Sequence, residues 1–289
     1  MKNRRFLMIG IVFILILGIG AVLYPLIADY ISAKHQTRIA AGYAERVQLE
    51  SDNRLAQALS DAQAYNENLF KTLGLKSRWS FSDADSAAYS ALLNLGGDSV
   101  MGIIEIPAID VSLPIYHSTS EGALQVGVGH MEGSSLPVGG PSTHCVLSAH
   151  TGLPSSTLFT HLDQLALGDQ FTLHVLKQDL VYEVDQILVV EPADKTPLAI
   201  VPGKDYCTLM TCTPYGINTQ RLLVRGHRLL TASPQSLASQ NAAVQTGGGY
   251  ALLIIAAPFM AAAVLVTAFR RLRAFALRRR NTRANSMKG

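Results

Sequence analysis

The chain has 289 residues, 48% of them hydrophobic and 16% charged, with a formal net charge of +3 and three cysteines. That composition excludes a disordered or low-complexity scaffold, and the odd cysteine count excludes a fully paired disulfide framework. The charge is segregated: three basic residues open the chain and eight close it, leaving 13 Lys and Arg against 21 Asp and Glu between them, a balance of about −8, so the overall basicity carries no implication of nucleic-acid binding.

The first element is an apolar run. Phe6 to Ile27 contains 22 residues without a charge, enough as a helix to cross a hydrocarbon core about 30 Å thick. A cleaved signal would share the basic start, but its apolar stretch is normally about 7–15 residues long. A second uncharged run of 19 residues, Ala251 to Phe269, is followed by the basic tail. Lys and Arg collect on cytoplasmic flanks, so the expected topology has both termini inside and the acidic middle outside.

Between the spans the texture changes twice. From Ala33 to Leu73, Ile39, Tyr43, Val47, Leu55, Leu59 and Leu69 recur at helical spacing with no proline, which predicts one or two amphipathic helices. A looser stretch with the only tryptophan, Trp79, follows. From about Val100, β-branched runs punctuated by Gly and Pro (MGIIEI, VSLPIY, CVLSA, QFTLHVL, LVYEVDQILVV, YCTLMTC, RLLVRGH) predict an all-β barrel or sandwich. Brief helical candidates lie at Glu121 to Val126 and Thr157 to Leu162. The expected boundaries are 1–28 for the basic start and first span, 29–76 for a helical segment, 77–98 for a lid-like linker and 99–230 for the β-domain. A flexible tether (231–249), a second span (250–269) and a basic tail (270–289) complete the chain.

Three residues could carry chemistry. His150 follows a predicted strand and precedes Gly152 and Pro154, so it should project into a loop. Cys212 ends a strand just before Thr213 and Pro214, and Arg221 opens the next strand nine residues on. If those strands pair as a hairpin, Cys212 and Arg221 come together. Cys207 lies five positions before Cys212 and so points to the opposite face, and it and Cys145 read as buried apolar residues. Most of the other histidines, His117, His130, His144, His161, His174 and His227, read as surface or turn residues. No CxxC or HxxxH spacing supports a zinc site, and no cofactor signature is present.

The segments TLMTCTPYGINTQRLLVRGHR, CVLSAHTGLP and GHMEGSSLPVGG together resemble the sortase family, and more narrowly its pilus-assembling class C, over roughly Tyr65 to Arg228. The resemblance implies an eight-stranded β-barrel with short helices, preceded by a helical segment and flanked by two membrane spans. It implies Cys212 as nucleophile, His150 as general acid/base and Arg221 as substrate-positioning and oxyanion-stabilising residue. The implied reaction is transpeptidation at LPxTG-like sorting signals, with pilin subunits and their acceptor lysine as partners, or a cell-wall precursor in the alternative of a sortase that anchors single proteins. A membrane-tethered β-domain that only binds ligands is the reading of another class. Class C members usually carry a lid with an Asp-Pro-aromatic motif. Here the corresponding stretch, Trp79 to Asp83, lacks the Asp-Pro step and offers Trp79 or Phe81 as the aromatic plug.

Overall fold

The structure, a computed structural model, describes residues 2–72, 79 and 83–229. The expected second span, tether, basic tail and Phe81 lie outside the described residues, as does the side chain of Asp83. Helix α1 (Lys2–Leu49) runs without interruption through Pro25, so the apolar run and the first amphipathic stretch form one helix. Among the described residues it is the one helix long and apolar enough to cross a membrane. Ser51 caps helix α2 (Asp52–Lys71) by accepting from Arg54 N, with an acid in the first turn and Lys71 in the last, matching the helix dipole at both ends. Helix α3 (Asp83–Ala91) leads into the β-domain.

The remaining elements are β1 (Val100–Ile106), β2 (Val111–His117), α4 (Glu121–Val126), β3 (Val128–His130), β4 (Thr143–Ser148), β5 (Gln170–Val175), β6 (Gln178–Val190), β7 (Asp205–Thr213) and β8 (Gln220–Arg228). The eight strands close a barrel in the order β1-β2-β3-β4-β7-β8-β6-β5, so the all-β expectation holds. Closure removes the unpaired edges that would otherwise invite aggregation. Two seams are parallel, β2 with β3 and β4 with β7. α4 occupies the residues expected of it, whereas the candidate at 157–162 is a run of turns ending in a 3-10 turn at Leu162–Gln164.

The barrel interior is filled by alternate residues of each strand, among them Ile104, Ile115, Leu147, Phe171, Leu173, Tyr182, Leu209 and Val224, all fully buried. Phe171 and Tyr182 stack at 5.5 Å between centroids. Gly226 makes room for them, because a Cβ there would come within 2.7 Å of Phe171 Cε1 and 2.9 Å of Tyr182 Cβ. The helices dock on this barrel through polar as well as apolar contacts. The Tyr43 hydroxyl donates to Met101 O and accepts from Leu176 N, each at 2.9 Å, and burial pushes its pKa up to about 12 so that it stays a neutral donor. Asn66 makes a two-way amide pair with Leu136, at 3.1 and 2.7 Å.

Three histidines contradict the surface reading. His117, His130 and His144 are buried, at 6%, 0% and 0% exposure. Each has partners for both ring nitrogens: Ser99 O and Leu92 O for His117, the Tyr89 hydroxyl and Ser135 O for His130, Ala199 O and the Thr208 hydroxyl for His144. His130 and His144 each pair one N–H with a carbonyl and accept from a hydroxyl on the other nitrogen, so both are satisfied as neutral imidazoles, whereas a neutral His117, which burial favours, donates to only one of its two carbonyls.

Candidate active site

The site is built on three adjacent strands, β4, β7 and β8, whose register puts residues from distant parts of the chain into rows. Along β4 and β7, Cys145 stands opposite Cys207 and Ser148 opposite Met210. Across to β8, Leu209 faces Val224, Met210 faces Leu223 and Cys212 faces Arg221. Side chains alternate between barrel interior and exterior. Cys145, Cys207 and Leu209 point inward and are buried, whereas Met210 and Cys212 lie on the other face with Leu223 and Arg221. Two residues beyond the Ser148–Met210 pair stand His150 on one chain segment and Cys212 on the other. The pairing is carried toward them by Ala149 N donating to Met210 O at 3.2 Å and the Thr211 hydroxyl donating to Ala149 O at 2.8 Å.

His150, Cys212 and Arg221 all line one cavity of about 320 Å³. Its remaining wall is largely apolar, from Leu124, Met131, Val190, Leu198, Met210 and Leu223, with Asp194 and Lys195 at hand. Each polar member is set by local chain chemistry. β7 ends at Thr213 because Pro214 has no N–H for the ladder, and a turn closed by Asn218 N donating to Pro214 O at 2.9 Å returns the chain into β8. Arg221 Nη1 donates to Gln220 O at 3.0 Å and Asn218 O at 3.4 Å, and among the described residues the guanidinium makes no ion pair. His150 Nε2 lies 3.7 Å from the Glu121 carboxylate of α4, a neighbour that no motif in the sequence singled out. The His150 carbonyl accepts from Phe159 N at 3.2 Å, closing the loop that follows. Gly152, at φ +73°, supports that loop in the left-handed region, with the Tyr215 ring where a Cβ would lie 3.0 Å from Cε2.

Trp79 packs against a small apolar cluster of Val146, Leu198 and Leu223 on the outer face of the same strands, with Met131, Val190 and Met210. Five of those residues, Met131, Val190, Leu198, Met210 and Leu223, also line the cavity of Cys212. Lys195 Nζ sits 4.7 Å from the centroid of the Trp79 ring. A thiol, an imidazole and an uncompensated guanidinium in one largely apolar cleft suit nucleophilic acyl transfer, in which each could act on the same carbonyl.

A family model described as a Sortase domain matches residues 104–229. Over 194 residues, 66% of this chain and 92% of the relative, the sequence is 27% identical to Sortase D of Bacillus subtilis (strain 168). Among solved structures, sortase C1 from Streptococcus agalactiae is 46% identical with a TM-score of 0.64, covering 68% of this chain and 100% of that one. Sortase C of Clostridium perfringens, solved with the C-terminal cell wall sorting motif, is 46% identical with a TM-score of 0.59, covering 67% of this chain and 98% of that one.

Proposed function

Because this chain belongs to the sortase family, with class C sortases among its structural relatives, we propose that it is a membrane-anchored cysteine transpeptidase that polymerises pilin subunits. With the thiol proton transferred to His150, the Cys212 thiolate attacks the Thr carbonyl of an LPxTG-like signal: the Sγ–C bond forms, and the carbonyl becomes an oxyanion held by Arg221. Guanidinium suits that task, being permanently charged with donors in fixed directions. The C–N bond to Gly then breaks, the leaving amine taking a proton from His150, and a thioacyl enzyme remains. A pilin lysine amine gives up a proton to His150 as its nitrogen attacks the thioester, so an amide forms and the thiolate is released. Splitting one hard amide exchange into two easier steps is what covalent catalysis contributes.

The observation that carries this reading is the single row in which Cys212 faces Arg221 across β7 and β8 while His150 lines the same cavity. Trp79 acts as a plug, its indole covering the apolar wall that the sorting signal would use. The basic clusters beyond the two apolar runs support a topology with both termini cytoplasmic and the barrel outside.

The test incubates the full chain in detergent with an LPxTG-type peptide and looks for a thioacyl adduct by mass spectrometry. An adduct that disappears in Cys212→Ala supports the reading, and one that survives that substitution refutes it. Adding a pilin domain then separates two outcomes: an isopeptide-linked ladder marks pilin polymerisation, whereas transfer only to a cell-wall precursor amine marks single-protein anchoring.

A further inference from the structure

Helix α1 meets the barrel along one stripe: Asp29, Ser32, Gln36, Ile39, Tyr43 and Val47 follow one another at spacings of three and four, so they share a helix face. The C-terminal half of the stripe is apolar and docks by burial, as Tyr43 and Val47 show at 2% and 5% exposure. Its first half is polar, and each of its three side chains hydrogen-bonds across to the β-domain. Asp29 Oδ1 accepts from Thr157 N at 2.7 Å and from the Thr157 hydroxyl at 2.9 Å. The Ser32 hydroxyl donates to Ser156 Oγ at 3.0 Å. The Gln36 amide, on a side chain 6% exposed, donates to Ser156 Oγ at 3.0 Å and to Val126 O at 3.2 Å.

Those partners belong to the two segments that flank His150. Ser156 and Thr157 belong to the loop that His150 opens, which is closed on itself by Phe159 N to His150 O at 3.2 Å and by Gly152 N to the Thr160 hydroxyl at 3.1 Å. Val126 is the last residue of α4, the helix whose Glu121 lies 3.7 Å from His150 Nε2. One buried amide thus ties together the loop that carries the imidazole and the helix that carries its acidic neighbour. Packing alone would be served by apolar residues at these positions. A matched polar seam instead fixes direction and register, because buried donors and acceptors tolerate no slippage.

We propose that Asp29, Ser32 and Gln36 are positioning residues for His150: the helix turns that follow the apolar run hold the 150–157 loop and the end of α4 so that the imidazole keeps its place beside Cys212. The inference rests on the catalytic reading of His150 given above. Asp29 comes two residues after Ile27 in the same helix, so the brace begins just past the apolar run read from the sequence.

The experiment measures single-turnover release of the leaving group by the full chain in detergent, using a Leu-Pro-Glu-Thr-Gly peptide and its ester analogue with glycolate in place of glycine. The amide needs its leaving nitrogen protonated and the ester oxygen leaves without that help, so only the amide reports on a misplaced acid. Gln36→Leu and Ser156→Ala should slow amide acylation about tenfold with KM within about twofold of the parent, slow the ester by less than about twofold, and lower the melting temperature by only a few degrees. Ser156→Thr, which keeps the hydroxyl, should restore the amide rate. An equal slowing of both substrates, or parental amide rates in both variants, overturns the proposal. Should Gln36→Leu fail to fold, Ser156→Ala and Asp29→Asn decide it by the same criteria. His150→Ala separates the two claims: parental amide turnover in that variant removes the catalytic reading and this one with it, whereas loss of turnover there beside normal clamp variants removes this one alone.

Discussion

Replacing Trp79 by alanine removes the ring that packs on the apolar wall shared with Cys212. A tryptophan buries roughly 200 Å² when enclosed. Trp79 is buried over more than half of its surface, so at least ~100 Å² is at stake, worth ~2.5 kcal/mol at ~25 cal/mol per Å². The Lys195 ammonium 4.7 Å from the ring adds ~0.5 kcal/mol. Ordering the side chain costs ~1 kcal/mol, which leaves ~2 kcal/mol favouring the covered cleft, or about thirtyfold in the population open to a reagent. Trp79→Ala should therefore raise the rate of Cys212 alkylation by iodoacetamide about thirtyfold, followed by intact mass under pseudo-first-order conditions. Cys145 and Cys207 are buried and should stay silent, so Cys212→Ala supplies the blank. Lys195→Met, which removes only the cation, should give about a twofold rise. A rate for Trp79→Ala within twofold of the parent would refute the reasoning, because the ring would then guard nothing.

Two further expectations concern the scaffold. His174 lies between the Glu105 carboxylate, 3.3 Å from Nε2, and Asp179, 2.7 Å from Nδ1; Glu105 first, then Asp179, raises its pKa against the opposing effect of burial. A folded-state pKa above the unfolded one means that this contribution to stability is complete below about pH 6.5 and fades as pH rises through the raised value. The urea midpoint of the parent should fall relative to that of His174→Gln between about pH 5.5 and pH 9, and parallel profiles would contradict the assignment. Gly226→Ala drives a methyl within 2.7 Å of the Phe171 ring and should cost about 1–3 kcal/mol, read as a lower urea midpoint with an unchanged slope.

The parts of this fold that were legible in the sequence are those governed by short-range chemistry. The β-branched runs QFTLHVL and LVYEVDQILVV mark β5 and β6, and the separation of Cys207 from Cys212 by five positions puts one in the interior and the other in the cleft. The hairpin expectation paired Cys212 with Arg221, because Pro214 and the glycine that follows confine the turn. Strand β3 has no signature in the sequence: three residues are too few to show a period, and only pairing to β2 and β4 defines it. The parallel seam of β4 and β7 was equally hidden, since no local signal says which strands meet across 62 residues of chain. The buried histidines look like polar loop residues until their partners are seen. Those partners are carbonyls and hydroxyls supplied by other segments. Glu121 and the α1 seam belong to the same class of contact.

That parallel seam also governs when the molecule can become reactive. β4 and β7 cannot be joined by a tight turn, so the row that holds the thiol opposite its arginine and brings the imidazole alongside exists only after β5 and β6 have been built between them. A chain still being made carries Cys212 without Arg221 opposite it and without His150 in a shared cavity. On the proposed reading of the site, chemical competence arrives together with barrel closure, which would give the nascent protein a built-in delay against premature acyl transfer.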